Sequence, residues 1–524
     1  MFPKNFYKMM FACLAMALAI AAQAQSWQFV GSRAMGMGGV GVATAYGPDA
    51  QYWNPAGLAQ EDDLNETGLL INVGADIQAT KNVLEGVSGL TDMANQYKSL
   101  SKKIDGTDAS MANASDISTL FKGLNDISKL IGQNSGALVN ANGGLGLKIK
   151  NFAVTARALG TGAITPVIDT ERIRFKTGGT GLTLGATTVP SVAANASMAT
   201  KLQNAIDAHG LFNALNSLLG GTYANSADLA NAFVNAIGTD TTTVANTVNT
   251  VIDNLGGAAD ILNKYTSASG SYKDNQTLAM ADVATFGEMA LGYGQKVIPG
   301  LKLGANIKVL TGYTAQSGVM ILKDDEKIED ILDKAYDNKK ESTNFAVDFG
   351  ALVNFAELLD KEIFLNPQVG LTAKNINGPK FDRPDVPAGM DPAIAANWKH
   401  DKYQLKPQVR GGVAINPIKN MTLAADLDLT ENDTLIDGLD SRQLGLGMEI
   451  NLFNRPKFHI PLRLGYNTNL ASSNVSDFIT AGIGLNMLHF YLELAGAVST
   501  DTTKVDDTTI PNSAAVSLSL GFLF

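Results

Sequence analysis

Along the C-terminal half of the chain, apolar residues return at every second position in short runs divided by turn residues. Met421, Leu423, Ala425, Leu427 and Leu429 alternate with Thr422, Ala424, Asp426, Asp428 and Thr430. Leu444, Leu446, Met448, Ile450 and Leu452 alternate with Gln443, Gly445, Gly447, Glu449 and Asn451. Phe458, Ile460, Leu462, Leu464 and Tyr466 are set against His459, Arg463, Gly465 and Asn467. A period of two places successive side chains on opposite faces of a strand, so each segment has one apolar face and one small or charged face. A single such strand also occurs in soluble sandwiches; the repetition carries the reading. The pattern predicts strands near 64–79, 137–150, 152–165, 277–297, 300–322, 342–356, 363–376, 402–415, 420–431, 440–452, 457–470, 475–487, 489–500 and 511–524. That is an even set of about 14, as a closed antiparallel bacterial barrel requires. Connections after even strands are short (150–151, 297–300, 356–362, 416–420, 453–457 and 487–489), and those after odd strands are mostly longer. Short periplasmic turns and long external loops produce this asymmetry. The fold class expected is therefore an all-β transmembrane, outer-membrane β-barrel of a Gram-negative-type bacterium.

Two stretches break the period. In 80–136 and 166–276 apolar residues recur every three or four positions. Leu84, Val87, Leu90, Met93, Tyr97, Leu100 and Ile104 form one such series, and Ile117, Leu120, Phe121, Leu124, Ile127 and Leu130 a second. Leu202, Ile206, Leu211, Leu215 and Leu219, then Val244, Val248, Val251, Leu255 and Leu262, continue it. Both stretches follow odd strands, which predicts two helical extracellular insertions burying their apolar faces on each other.

The start of the chain changes the compartment. Lys4 and Lys8 precede an apolar run ending in Ala22-Gln23-Ala24, the pattern of a cleaved Sec signal over residues 1–24. The single cysteine, Cys13, lies inside it, so the mature chain is expected to carry no disulfide or thiol chemistry. Removing Lys4 and Lys8 takes the formal charge from −10 to −12, which argues against a nucleic-acid partner. Enzyme readings fail on inventory. His209, His400, His459 and His489 are scattered without metal spacing, and no serine partner is evident for the inward-phased His459. No metal or cofactor is expected.

Strand phase places Arg157, Glu288, Lys302, Lys308, Lys406, Arg410, Asp426, Asp428, Glu449, Arg463 and Glu493 inside the barrel. Mixed signs predict neutralising ladders rather than a selective ion pore. Arg157, Lys308, Arg410 and Arg463 are candidate lumen cations for a ligand carboxylate. The chain ends on Val516, Leu518, Leu520, Phe522 and Phe524 in phase, an alternating last strand closing on an aromatic. It resembles the signal read by outer-membrane assembly machinery, with Phe522 and Phe524 as its residues.

The stretch GSRAMGMGGVGVATAYGPDAQYWNPAGLA at 31–59 precedes the first strand. Its glycines permit close backbone approach and Asn54-Pro55 favours a turn, which suits a compact packed peptide over 25–63 ahead of a barrel at 64–524. The run through Arg33 and the flanking glycines, Asp49, and Asn54-Pro55-Ala56-Gly57-Leu58 together resemble the N-terminal hatch of FadL/PorV-like outer-membrane barrels. The late motif GLTAKNINGP at 370–379 extends the likeness. AADLDLTENDT at 424–434, with LGLGMEINL and LRLGYNTN, looks most like the TraF-like, conjugal-transfer-labelled subgroup. The resemblance covers the barrel and not the helical insertions. It implies a hatch filling the barrel, a hydrophobic small-molecule ligand bound near it, and lateral exit through a strand irregularity. It makes Arg33, Asp49, Asn54, Pro55, Ala56 and Gly57 the candidate plug and gating residues. The function implied is passage of a long-chain fatty acid or hydrocarbon across the outer membrane. A structural or docking barrel of a conjugal-transfer or secretion apparatus, with an envelope partner, is the alternative.

Overall fold

A computed structural model of the chain describes residues 26–523 except 61–66, 82, 84–113, 132–133, 174–183, 220, 269, 271–273, 321–329, 388–389, 400, 456–457 and 506–507. The signal segment, Phe524, His400 and the first helical series (Leu84 to Ile104) lie outside these residues.

Fourteen strands close into one antiparallel barrel. They are β1 (Thr67–Ala79), β2 (Ala137–Ile149), β3 (Phe152–Val167), β4 (Leu278–Ile298), β5 (Leu301–Met320), β6 (Lys340–Asn354) and β7 (Gln368–Lys374). β8 (Gln408–Ile418), β9 (Met421–Asp428), β10 (Gln443–Arg455), β11 (Phe458–Asn469), β12 (Phe478–Met487), β13 (Phe490–Ser499) and β14 (Ser513–Leu523) complete it. Each pairs with its sequence neighbour, and β1 pairs with β14 from Gly68↔Leu523 to Gln78↔Ser513, leaving no free edge. Closure satisfies every strand's backbone within the wall, which lets strands cross a hydrocarbon layer. The alternating apolar set faces outward: Met289, Ile307 and Phe345 are 66%, 62% and 62% exposed. Leu446, Leu464, Ile483 and Leu494 are also exposed. A closed barrel wearing an apolar belt on its outside is an outer-membrane protein.

The described insertions are helical. Ala114–Ser128, Ala193–Ala208, Phe212–Leu218, Ser226–Ile237 and Thr241–Ser267 pack into one cluster that buries Ile117, Leu120, Phe121, Leu202, Leu215, Val248 and Leu255. Asn225 and Asp240 cap two of these helices by accepting the Asp228 and Thr243 amides at 2.9 and 2.7 Å.

Departures from the alternation cluster at β7 and β8. The strand expected at 363–376 is confined to Gln368–Lys374, because Asn354 caps a periplasmic helix, Phe355–Leu359, and Asp360, Leu365 and Asn366 take positive φ. The strand expected from 402 begins at Gln408, since Tyr403–Gln404 pairs instead with Lys380–Phe381 in a separate two-stranded sheet. Another hairpin, Thr502–Val505 with Thr508–Pro511, stands where the sequence reading placed a loop. The threonine run there carries β propensity without the apolar alternation of a wall strand.

Two outcomes follow. Leu464→Arg puts a cation on the lipid face near mid-strand and should cost about 2–4 kcal/mol, read from urea unfolding of the refolded protein. The second concerns the outer loops. Arg172, at the foot of the helical cap, pairs with Asp169 at 2.9 Å and with Asp391 of the 375–407 loop. The Arg172 hydrogen bond, aided by the Ala393 amide, holds the Asp391 carboxyl below its usual range. A depressed carboxyl adds stability above its unfolded value of about 4 and loses it as pH falls through the lower folded value. Acidification from pH about 5 to about 2 should therefore raise proteolytic nicking within 375–407, while pH about 5 to about 8 leaves it unchanged.

Candidate functional site

Residues 26–60 occupy the barrel lumen as a compact hatch, nearly all of them buried. Its structure is irregular: short helices at Ser32–Gly36 and Ala50–Trp53 and a 3-10 turn at Pro55–Ala59, joined by glycine turns. Trp27, Tyr52 and Trp53 form its aromatic centre, with Trp27 stacked on Trp53 at 5.8 Å and Tyr52 edge-on to both. The Trp53 indole N–H donates to the Val30 carbonyl at 2.9 Å.

So little regular structure leaves backbone groups that the wall must satisfy. Asp426 accepts the Gly41 and Val42 amides at 2.7 and 2.8 Å. Asn306 donates to the Gln51 carbonyl at 2.7 Å, and Asn467 to the Gly38 carbonyl at 3.0 Å. Thr480 donates to the Gly36 carbonyl and accepts from the Gly38 amide. The wall also yields space. A Cβ at Gly304 or Gly294 would strike the Pro55 backbone, one at Gly370 the Val42 carbonyl, and one at Gly447 the Met37 carbonyl. These inward glycines form a groove in which the hatch backbone touches the wall backbone.

The structure gathers the plug candidates in this seat. The Asn54 side chain donates to the Val42 and Ala351 carbonyls at 2.9 and 3.0 Å and accepts the Ala56 amide at 3.1 Å, capping the turn that Pro55 begins. Ala56 is fully buried, and a Cβ on Gly57 would strike the Ala45 carbonyl. Asp49 accepts from Asn72 at 2.8 Å beside Arg157 and packs against Gly31, whose φ of 84° is one that glycine adopts freely. Arg33 makes a two-pronged bond to Glu449 at 2.9 and 3.1 Å and donates to the Thr44 carbonyl at 2.7 Å.

The lumen cations divide between two networks and the hatch. Arg463 lies between Glu449 and Glu493, each at 2.6 Å, so Arg33, Glu449, Arg463 and Glu493 form one chain of alternating sign. Glu288 lies 3.5 Å from both Arg157 and Lys308, and Lys308 reaches Asp348 at 2.9 Å. Arg157 also donates to the Pro48 carbonyl, and Arg410 to Asp428 at 2.6 Å and to the Gly39 carbonyl at 3.3 Å. Lys406 departs from the phase reading: it precedes β8, is half exposed and pairs with Asp433 outside the strand. Asp348, Asp282 and Lys374 were missed, although the alternation of β6 and β7 points Asp348 and Lys374 inward. Lys374 sits 3.1 Å from the Tyr52 ring centre and 3.6 Å from that of Trp27. Phe522 faces lipid, 5.6 Å from the Phe490 ring. His459 lies against Asn486.

Three neighbouring strands repeat one order from outside to periplasm. In β4 it runs Phe286, Glu288, then Gly292 and Gly294; in β5, Leu310, Lys308, Gly304; in β6, Ala346, Asp348, Gly350. The outermost layer joins Phe381, Tyr403 and Leu405 of one loop and Leu435, Ile436 and Leu439 of another in a buried apolar cluster. Apolar layer, ionic layer and hatch seat are thus stacked along the lumen.

Arg463→Met should leave Glu449 and Glu493 buried without their shared cation and cost about 3–5 kcal/mol. The expected readout is a lower urea midpoint and protease cleavage within 26–60.

Comparison with solved structures finds the Ralstonia pickettii toluene transporter TbuX, over 97% of this chain and 100% of its own, at 9% identity and a TM-score of 0.41. The P. putida toluene transporter TodX aligns over 96% and 99%, at 8% identity and 0.40. A Pseudomonas aeruginosa FadL homologue aligns over 96% and 99%, at 9% identity and 0.38. Scores and identities this low say nothing of what this chain binds. Comparison with curated proteins gives no match. A family model covers most of the wall and the end of the hatch, matching residues 51–428, and by it the chain belongs to the family described as the F plasmid transfer operon TraF protein.

Proposed function

We propose that this barrel passes a small hydrophobic molecule across the outer membrane, taking it first into the outer half of the lumen and then past the hatch. The observation that carries this reading is the apolar layer at Phe286, Leu310, Phe381, Tyr403 and Ile436. A water-filled pore has no use for large buried apolar side chains in its lumen, whereas a receptor for an apolar solute needs them. Phe381 is fully buried, 4.4 Å from the Phe286 ring centre, and belongs to a loop rather than to the wall. Its loop is held to the wall by Arg383 and Lys399 on Asp282, at 2.9 and 3.7 Å. Displacing that loop would present the layer to a solute from outside. Arg33, Asp49, Asn54, Pro55, Ala56 and Gly57 are then the hatch residues whose contacts resist passage. The lumen cations serve first to hold the hatch and the ionic layer.

A second reading, a docking barrel for a transfer apparatus, is favoured by the family's description, which names a plasmid transfer operon.

The test uses full-length protein in proteoliposomes with radiolabelled laurate and toluene as probes. Saturable uptake above protein-free vesicles, lowered by Phe381→Asp, is expected. No uptake of either probe, together with loss of plasmid transfer when the protein is deleted from cells, would replace the transport reading by the docking one.

A further inference from the structure

Four buried cations of the lumen are matched. Arg157, Lys308, Arg410 and Arg463 each stand beside a carboxylate, at 3.5, 2.9, 2.6 and 2.6 Å. Lys374 differs. It is the last residue of β7, 3% exposed, and no described residue accepts a hydrogen bond from its ammonium. What it meets are ring faces, those of Tyr52 at 3.1 Å and Trp27 at 3.6 Å. A ring face attracts the cation but offers no lone pair in line with its N–H groups. Glu288 and Asp348 act on Lys374 from farther off, and both are taken by Lys308, at 3.5 and 2.9 Å. Asp348 also accepts the Asn375 amide and the Asn306 side chain. Lys308 and Arg410 repel the ammonium.

Two more unpaired donors stand with it. Gln408, the first residue of β8, faces Lys374 in the ladder, and its buried Nε2 has no partner among the described residues. The indole N–H of Trp27, on the ring that Lys374 covers, has none either, whereas that of Trp53 reaches the Val30 carbonyl at 2.9 Å. Gln408 and Trp27 are 6% and 3% exposed. A buried donor left unpaired costs its full desolvation, and native interiors keep few of them. Three at one junction of hatch and wall, one of them charged, call for an acceptor that carries negative charge. Water would complete the N–H bonds and leave the ammonium unmatched.

We propose that Lys374, Gln408 and the Trp27 indole hold one monovalent anion between the hatch and the β7–β8 wall. Two sources supply that chemistry: a free halide, and the carboxylate head of a solute. Trp27 belongs to the hatch and the other two to the wall, so a bound halide would join one to the other. Tyr403 and Leu405 of the apolar layer closely precede Gln408, so the chain of an acid could lie along that layer while its head rests on the donors. The site does not rest on the transport reading; its second source does.

Iodide is the probe, a monovalent anion that quenches an indole it touches. The chain has three tryptophans, Trp27, Trp53 and Trp398. Full-length protein in dodecyl maltoside, at constant ionic strength, should show a saturable component of quenching that Lys374→Met abolishes and Gln408→Leu weakens. Gln408→Leu leaves every charge in place and serves where Lys374→Met does not assemble, as judged by heat-dependent gel mobility. Quenching that stays linear in the unsubstituted protein overturns the proposal, as does a saturable component that the assembled variants keep unchanged. Where the component follows the expected pattern, competition separates the sources. Relief by chloride alone assigns the site to a free halide, and relief by laurate but not by 1-dodecanol assigns it to a solute's head. Neither result needs uptake, so failure of the transport reading leaves the site standing.

Discussion

The structure depends on satisfying an irregular peptide backbone inside a closed wall. Barrel strands complete their own hydrogen bonds, but residues 26–60 do not, and nearly all of them are buried. The amides and carbonyls that its own short turns leave unpaired therefore need partners from the lumen face. Asp426, Asn306, Asn467, Thr480, Arg157 and Arg410 supply them from six different strands. The inward glycines answer the same constraint by a different route, clearing room for a backbone to lie against a backbone. A barrel without the hatch would have no need of either feature at these positions.

Ion pairs inside such a lumen add little net stability, because removing two charges from water costs roughly what their attraction returns. Their effect is on geometry. Arg33 joins the first hatch helix to Glu449 and to the Thr44 carbonyl of the segment after it, and Arg463 keeps Glu449 turned toward it. Arg157 bridges the Pro48 carbonyl and Glu288, linking the hatch to the ionic layer above it. On the proposed route an apolar solute would meet that layer after the apolar cluster at Phe286 and Phe381. On the proposed reading, passage would require the hatch to rearrange, since its buried residues fill the lumen beneath that layer.

The helical cap follows a separate logic. Its helices bury their apolar stripes on one another and on Ala79 and Ala137 at the strand ends below, and polar contacts such as the Arg172 bridge between Asp169 and Asp391 join the cap to the loops.

The sequence by itself determined the wall. Alternation such as Leu444 to Leu452 has one solution when one face meets lipid and the other does not, and the odd–even difference in connection length fixed which ends carry loops. The helical spacing of Ile117 to Leu130 and Val244 to Leu262 was equally legible, because a buried stripe leaves its period in the chain. The hatch motif announced a packed peptide through Gly-rich and Asn-Pro-Ala-Gly chemistry. Tertiary structure alone decided the partners. Lys406 lies in phase with its neighbours yet falls outside the strand, because Tyr403 and Gln404 pair with Lys380 and Phe381 of the same loop. Nothing local marks Phe381 as the partner of Phe286, or Glu449 as the partner of Arg33, since the residues in each pair lie far apart along the chain. Inward glycines read only as small residues until the hatch lies against them. Periodicity records which solvent each side chain faces; it does not record which distant residue stands opposite, and the site is made of those pairings.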